Sequence, residues 1–198
     1  MIQRRDALRV GPYSLYIGGY AMSALVLLPG ESKEVQLGGG FGVVFKLFGT
    51  DTGERFAVVE HPLAPGTLAA PPHVHHKEDE ASYVLEGEIM AQVGDHVIQA
   101  SVGTLIFKPK GIPHTFWNQS SAPARILEII SPAGFEQYFE ELAELVAPGG
   151  PPDIPRLMTL AQKYDLELDM SQVMELSQKY HVSLGGPEQI SEEAQRVS

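Results

Sequence analysis

The chain has 198 residues, of which 43% are hydrophobic and 20% charged, and this composition is typical of a globular protein that buries a sizeable core. Its formal net charge of −11 at pH 7 argues against nucleic acid and anionic membrane surfaces as partners, because both attract basic proteins. The sequence contains no cysteine, which excludes disulfides and thiolate metal sites, so any metal ligands must be nitrogen or oxygen atoms.

The N-terminal segment is apolar but lacks the pattern of a membrane span or a secretory signal. Its apolar run at residues 21–28 is far too short to cross a bilayer. Gly18 and Gly19 interrupt the uncharged stretch, and no clear cleavage site follows it. We therefore predict a cytoplasmic protein whose residues 1–33 form N-terminal strands.

The middle of the chain has the pattern of short strands separated by turns rich in glycine and proline. This pattern predicts an antiparallel sandwich or barrel, and we assign residues 34–134 to the barrel domain. The predicted strands, including two that precede the barrel, cover residues 14–17, 22–28, 41–48, 56–61, 89–93, 96–100, 104–107, 115–117 and 125–130.

The character of the sequence changes after Gly134, and residues 135–198 are predicted to form a helical extension. Apolar residues recur at helical spacing over residues 135–146. Residues 156–168 and 172–184 then repeat one another at an offset of sixteen residues, which predicts a duplicated helix. We expect this duplicated helix to pack on the barrel or on a partner subunit, and the functional alternative is a lid over the barrel mouth.

Three histidines and a glutamate form a candidate metal site. His73 and His75 are two residues apart, so both imidazoles leave the same face of an extended strand. Glu80 follows after a polar bend, with Glu78 as the alternative carboxylate, and His114 comes later, beyond a Pro/Gly turn. These donors suit a divalent transition metal such as Fe, Mn, Co, Ni, Cu or Zn. Four protein ligands on a metal that prefers six leave two positions open, as in a catalytic site.

Both stretches resemble the two sequence motifs of the cupin superfamily. The opening glycine of the first motif is the one departure, because Gly66 lies one residue farther from His73 than the motif requires. The resemblance spans residues 34–131. It implies a mainly β fold, the cupin double-stranded β-helix or jelly-roll barrel, followed here by C-terminal helices. The matching positions are His73, His75, Glu80 and Gly87 in the first motif and Gly103, Pro109, Gly111, His114 and Asn118 in the second.

Within this superfamily, the chain is similar to the single-domain quercetin 2,3-dioxygenase-like group. The similarity lies in the segments VEHPLAPG, PPHVHHKEDEASYVLEGE and SPAGFEQYFEELAE. It implies one divalent metal ion per subunit, held by the three histidines and Glu80, and a largely apolar small-molecule substrate such as a flavonol. It also implies that Glu80 is the catalytic base that takes the flavonol hydroxyl proton, and that dioxygen is the second substrate.

Strand alternation also selects residues for a substrate pocket beside the metal ligands, since every second side chain of a strand shares one face. An apolar pocket built in this way would suit a flat aromatic ligand. No lysine or arginine is expected on the inward faces, and this disfavours a phosphorylated sugar as the substrate. The predicted pocket residues are Ser82, Val84, Met90, Phe107 and Phe116.

Two other functions stay open on the sequence. One is a non-catalytic, metal-dependent protein that binds or senses a small molecule, and the other is an isomerase or decarboxylase that needs no oxygen. His61 and His96 match neither motif and are interpreted as ordinary strand residues. The apolar N-terminal segment and the duplicated tail predict a homodimer, the commonest closed assembly.

Overall fold

The computed structural model describes residues 8–17, 20–146 and 153–186, with residues 8–17 and 20–23 given by their backbone alone. No helix within these ranges is both long enough and apolar enough to cross a membrane. The strands are, in chain order, Leu8–Ile17 (β1), Tyr20–Val26 (β2), Lys33–Gln36 (β3), Gly42–Leu47 (β4), Ala57–Leu63 (β5), Thr67–Leu68 (β6), His73–His75 (β7), Asp79–Glu86 (β8), Glu88–Val93 (β9), His96–Ser101 (β10), Leu105–Lys108 (β11), His114–Asn118 (β12), Ala124–Ser131 (β13), Leu166–Leu168 (β14) and Ser183–Leu184 (β15). The helices are Gly49–Thr52 (α1), Glu136–Val146 (α2), Ile154–Lys163 (α3) and Val173–Tyr180 (α4), and Met170–Gln172 form a single 3₁₀ turn.

Most strands belong to two sheets whose inward faces share one hydrophobic core. The first sheet has the order β11-β8-β13-β5-β4-β3, and the second follows the path β10-β9-β12-β6-β15, with β7 paired to β12 and to β14. Phe45 and Val59 from the first sheet and Ile89 and Phe116 from the second lie in the same buried cluster. Strands β1 and β2 form a separate antiparallel pair. The predicted mainly β barrel with C-terminal helices is confirmed.

Helix α2 packs against the interior of the barrel. Phe135 just before the helix and Tyr138 and Phe139 within it are buried in the core, and the half-buried Leu142 and Leu145 pack against it. Glu136 fixes the helix start, because its carboxylate accepts hydrogen bonds from the backbone N–H groups of Gly49 at 2.8 Å and Gly134 at 2.6 Å. Such bonds satisfy orphan donors and hold the helix N-terminus against the barrel.

The duplicated tail consists of two helix–strand units. The duplicated helix predicted over residues 156–168 and 172–184 is therefore shorter than expected in both copies. Helix α3 ends at Lys163 and α4 at Tyr180. Asp165 and His181, at equivalent places in the two copies, have φ angles of 51° and 54°, and a left-handed residue interrupts a right-handed helix. The chain then extends into β14, which runs antiparallel to β7, and into β15, which runs parallel to β6. The tail therefore adds strands to its own barrel.

Candidate metal centre

The structure brings the four predicted ligands together inside the barrel. His73 and His75 lie on β7 and His114 lies opposite His73 on the neighbouring strand β12. Glu80 approaches from β8 in the other sheet. One potential ligand atom from each residue lies within 4.8 Å of the others, and all four residues are buried. The two sequence motifs thus meet at one point because the two sheets face each other.

Backbone hydrogen bonds fix the orientation of two of these imidazoles. The Nδ1 atom of His73 lies 2.8 Å from the Pro71 carbonyl oxygen, and Nδ1 of His114 lies 3.0 Å from that of Ile112. A carbonyl only accepts, so Nδ1 must carry the proton in both rings, and the neutral imidazole keeps its lone pair at Nε2. This tautomer is the one that a metal ligand needs.

Nitrogen lone pairs of the histidines then point at the oxygen atoms of Glu80, and no hydrogen atom lies between them. Nε2 of His114 lies 3.1 Å from Oε2 of Glu80, and Nε2 of His75 lies 3.4 Å from Oε1 of the same carboxylate. Neither ring nitrogen of His75 has a hydrogen-bond partner among the described residues. Buried polar atoms are rarely left in this state. A cation at the centre would turn these opposed acceptors into ligands, so the donor set fits a divalent metal ion.

Glu78, the alternative carboxylate, lies outside the group of four. Its Oε2 atom is 3.4 Å from Nδ1 of His75, on the side of the ring away from Glu80. No hydrogen bond joins the two atoms at this distance, but the carboxylate stands beside Nδ1, the position from which a carboxylate commonly orients a ligating histidine.

The pKa directions of His73, Glu80 and His114 favour their metal-binding forms. Burial lowers the pKa of His73 well below its usual value, with further contributions from the two neighbouring imidazoles, and burial lowers the pKa of His114 as well. Burial by itself would raise the pKa of Glu80, but the ammonium of Lys108 and the nearby imidazoles hold it well below its usual range. Neutral imidazoles and an ionised carboxylate are what a divalent metal binds.

Lys108 is the functional residue that sequence reasoning missed. It lies on the inward face of β11, 2% exposed, with Nζ 2.8 Å from Oε2 of Glu80 and 2.9 Å from Oε2 of Glu128. The expectation that no cation lies on an inward face is therefore wrong. Residues 105–107 are all apolar, so periodicity fits either strand phase. The pairing of Lys108 with Glu80 across β11 and β8 decides the phase.

The strand faces correct two of the predicted pocket residues, one on β11 and one on β9. Phe107 is 58% exposed on the outer face of β11. Met90 packs with Trp117 and Leu176 in a second cluster that is separate from the core around the ligands. The inward face of β9 carries Ile89 and Ala91 instead, since alternate residues of a strand point to opposite faces.

The other three predicted pocket residues lie with the ligands on inward faces. Ser82 and Val84 follow Glu80 at every second position of β8 and are buried, and Phe116 is buried two residues after His114.

Aromatic rings surround the ligand cluster, and His61 is one of them. The His61 ring stacks on Phe41 with 5.0 Å between the ring centroids, and it also contacts Phe116 and Phe139. Burial lowers the pKa of His61 to about 4, so this residue is a neutral part of the core. The ring of Phe135 stands edge-on to His75 with 4.3 Å between centroids. Phe135, directly before helix α2, thereby covers the candidate ligands with an aromatic side chain.

The chain is similar to several solved structures. KdgF from a Halomonas species is 15% identical, with a TM-score of 0.50 over 56% of this chain and 94% of that chain. An RmlC-like cupin from Shewanella frigidimarina NCIMB 400 is 20% identical, with a TM-score of 0.48 over 56% and 93% of the two chains. A sugar phosphate isomerase of the cupin superfamily from Silicibacter pomeroyi DSS-3 is 22% identical, with a TM-score of 0.45 over 50% and 71%.

At these identities the likeness concerns the fold alone. Among curated protein sequences the chain has no significant match. The family model described as Cupin domain, Cupin_2, matches residues 59–130, a stretch that contains both ligand motifs. Residues 59–130 of the chain are therefore similar to a cupin domain.

Proposed function

We propose that this protein is a metal-dependent dioxygenase of the quercetin 2,3-dioxygenase kind, acting on a flavonol or a similar enol. The supporting observation is the set of opposed lone pairs on His75, His114 and Glu80, which needs a cation, within a wall of aromatic side chains. His73, His75, Glu80 and His114 would hold one divalent ion. The bound ion would supply Lewis acidity that lowers the pKa of the substrate hydroxyl group.

The side chains around the ion would take up the substrate proton, bind the aromatic ring and exclude water. Glu80 accepts the hydroxyl proton and leaves an electron-rich enolate that reduces dioxygen. Both oxygen atoms bond to the ring carbons on either side of the enol carbon, the two C–C bonds to that carbon break, and it leaves as carbon monoxide. Phe116 and Phe135 bind the flat ring through their faces and edges. Helix α2 keeps bulk water away from the enolate, since Phe135 lies against His75. Holding the two substrates together in a dry interior is a large part of what such a site supplies.

The charge distribution favours an apolar enol over a phosphorylated sugar. Lys108 is the cation found among the described residues next to the ligand cluster, and both Glu80 and Glu128 already pair with it. A phosphate group placed there would meet two carboxylates for one ammonium. Recognition of phosphate needs a surplus of positive charge or backbone donors.

The test is oxygen uptake by metal-free protein reloaded separately with Mn, Fe, Co, Ni and Cu and offered quercetin. We expect consumption of one dioxygen per quercetin with at least one metal, and loss of this activity in His114→Ala. The control is His96→Ala, because His96 is exposed on β10. Equal turnover in air and under argon would indicate an oxygen-independent reaction. Absence of turnover with metal bound would indicate a binding role.

A further inference from the structure

A second polar group lies on the inward face of the first sheet, next to the ligand cluster. Glu128 of β13 is 1% exposed. Its Oε2 atom accepts hydrogen bonds from Oγ of Ser82 at 2.8 Å and from Nζ of Lys108 at 2.9 Å. Its other oxygen, Oε1, has no hydrogen-bond partner among the described residues. A buried carboxylate oxygen without a donor loses its hydration and gains nothing in return.

The strand register places this oxygen close to the metal ligands. Glu128 stands opposite Ser82 where β13 pairs with β8, and Lys108 stands opposite Glu80 where β11 pairs with β8. One ammonium therefore bridges Glu128 and Glu80, at 2.9 Å from the first carboxylate and 2.8 Å from the second. The same ammonium lies 5.4 Å from the centroid of the Phe116 ring. Glu128 thus belongs to the group of residues around the cluster.

A structural role would explain the paired oxygen of Glu128 but gives no reason for the unpaired one. A buried ion pair needs one carboxylate for one ammonium, and a second buried carboxylate adds a desolvation penalty. With a divalent ion at the ligand cluster, the charges alternate from the metal through Glu80 and Lys108 to Glu128. Lys108 then compensates Glu128, but Oε1 still has no donor. Burial raises the pKa of Glu128 to about 7, which is consistent with a carboxyl group that exchanges hydrogen bonds with a ligand near neutral pH.

We propose that Glu128 is a substrate-binding residue whose Oε1 atom accepts a hydrogen bond from a hydroxyl group of the substrate, while Lys108 and Ser82 hold the carboxylate in position. This inference rests on the proposed function and narrows its substrate class. The substrate is a polyhydroxylated aromatic enol, with a hydroxyl group in addition to the one that reacts. Glu128 discriminates against an analogue that lacks this group, because the analogue leaves the buried oxygen unpaired.

The test is ligand binding by calorimetry to protein loaded with Zn²⁺, a metal without redox chemistry. The probes are quercetin and 3-hydroxyflavone, which shares the reacting enol and lacks the other hydroxyl groups. The native protein should prefer quercetin by about tenfold or more, because 3-hydroxyflavone leaves a buried acceptor without a hydrogen bond. In Glu128→Gln this preference should fall to within about threefold. The single oxygen of the amide would accept from Lys108 and Ser82, so an NH₂ group would replace the acceptor that faces the substrate.

Two further variants keep the result interpretable. Glu128→Asp retains the charge but withdraws the oxygen by one methylene group, so it should keep its metal and lose most of the preference. The control is Glu86→Gln, on the exposed end of β8, which should retain the preference for quercetin. An unaltered preference for quercetin in Glu128→Gln and Glu128→Asp, with metal content intact, would overturn the proposal, as would equal binding of both probes by the native protein.

Because zinc binding is measured without turnover, the two proposals fail separately. Loss of the preference in the variants, with no oxygen uptake by any metal form, would support the role of Glu128 and reject the dioxygenase. Oxygen uptake with an unchanged preference would do the reverse.

Discussion

Leu168 in the C-terminal tail is the sheet partner of His73, and Leu166 is the partner of His75. Strand β7, which carries two of the proposed ligands, is therefore held on one side by β12 with His114 and on the other by the tail strand β14. The tail is a structural part of the candidate metal centre, because it fixes the strand from which two imidazoles project.

This relationship predicts that Leu166→Ala weakens both folding and metal binding. Leu166 is buried in the main core, so the substitution should lower the free energy of unfolding by about 2–5 kcal/mol. The affinity for metal should fall as well, because β7 loses its packed neighbour. Urea unfolding and a competition titration with a chelator measure the two quantities.

The matched control is Met174→Ala in the second tail copy, where the side chain is 70% exposed. It should change the free energy of unfolding by no more than about 0.5 kcal/mol. Equal metal affinity in Leu166→Ala and the native protein would contradict a role for β14 in holding the ligands.

The ligand set predicts a graded loss of metal across three substitutions. His114→Ala removes a proposed ligand and should leave less than stoichiometric metal after dialysis. Glu78→Gln should retain one metal ion per chain with an affinity roughly 10–100-fold lower, as expected for a residue that orients a ligand. His96→Ala should bind like the native protein. Elemental analysis and chelator competition give these values. Complete loss of metal in Glu78→Gln would make Glu78 a ligand in place of an orienting residue.

Burial of His61 predicts a loss of stability in acid. The unfolded chain protonates this imidazole at its usual pKa of 6.5, whereas the folded protein does so only near 4. Between these values the unfolded state binds more protons, so stability from this group is complete above pH 6.5 and is lost as the pH falls toward 4. The contribution is about 3 kcal/mol from a shift of this size.

Comparison with His61→Phe isolates this term from the other buried groups. Phenylalanine keeps the ring contacts with Phe41 and Phe139 but does not titrate. The free energy of unfolding, measured by urea at several pH values, should therefore fall less steeply from pH 6.5 to pH 4 in the variant. Parallel pH profiles for the two proteins would show that His61 is not the titrating group.

The inward and outward faces of β11 and β12 predict opposite outcomes for two phenylalanines. Phe116→Ala should lower the free energy of unfolding by about 3–5 kcal/mol, because the ring is buried in the core. Phe107→Ser should be nearly neutral, within about 0.5 kcal/mol, and should leave metal binding unchanged. Thermal and urea unfolding distinguish the two. A large cost for Phe107→Ser would mean that another surface covers this exposed face.

The sequence by itself predicted the barrel and the residues that cluster within it. Short apolar segments between Gly and Pro turns are local signals that predict strands. The spacing of His73, His75, Glu80 and His114 can be recognised along the sequence without knowledge of the fold. The inward-facing residues of β8 and β12 were also predicted, because every second residue shares a face with Glu80 or with His114.

Other features depended on contacts between distant parts of the chain. Residues 105–107 are apolar throughout, so only the pairing of β11 with β8 shows that Lys108 points inward and Phe107 outward. Nothing in the sequence of β13 marks Glu128 as unusual. Only the tertiary structure shows that Ser82 and Lys108 both donate to Oε2 and that Oε1 has no donor. The tail repeat predicted helices, yet its last residues became strands because the open edges of β6 and β7 offered backbone hydrogen bonds. Local sequence sets residue type and periodicity, whereas strand register is a property of the partner strand and appears only when the sheets are assembled.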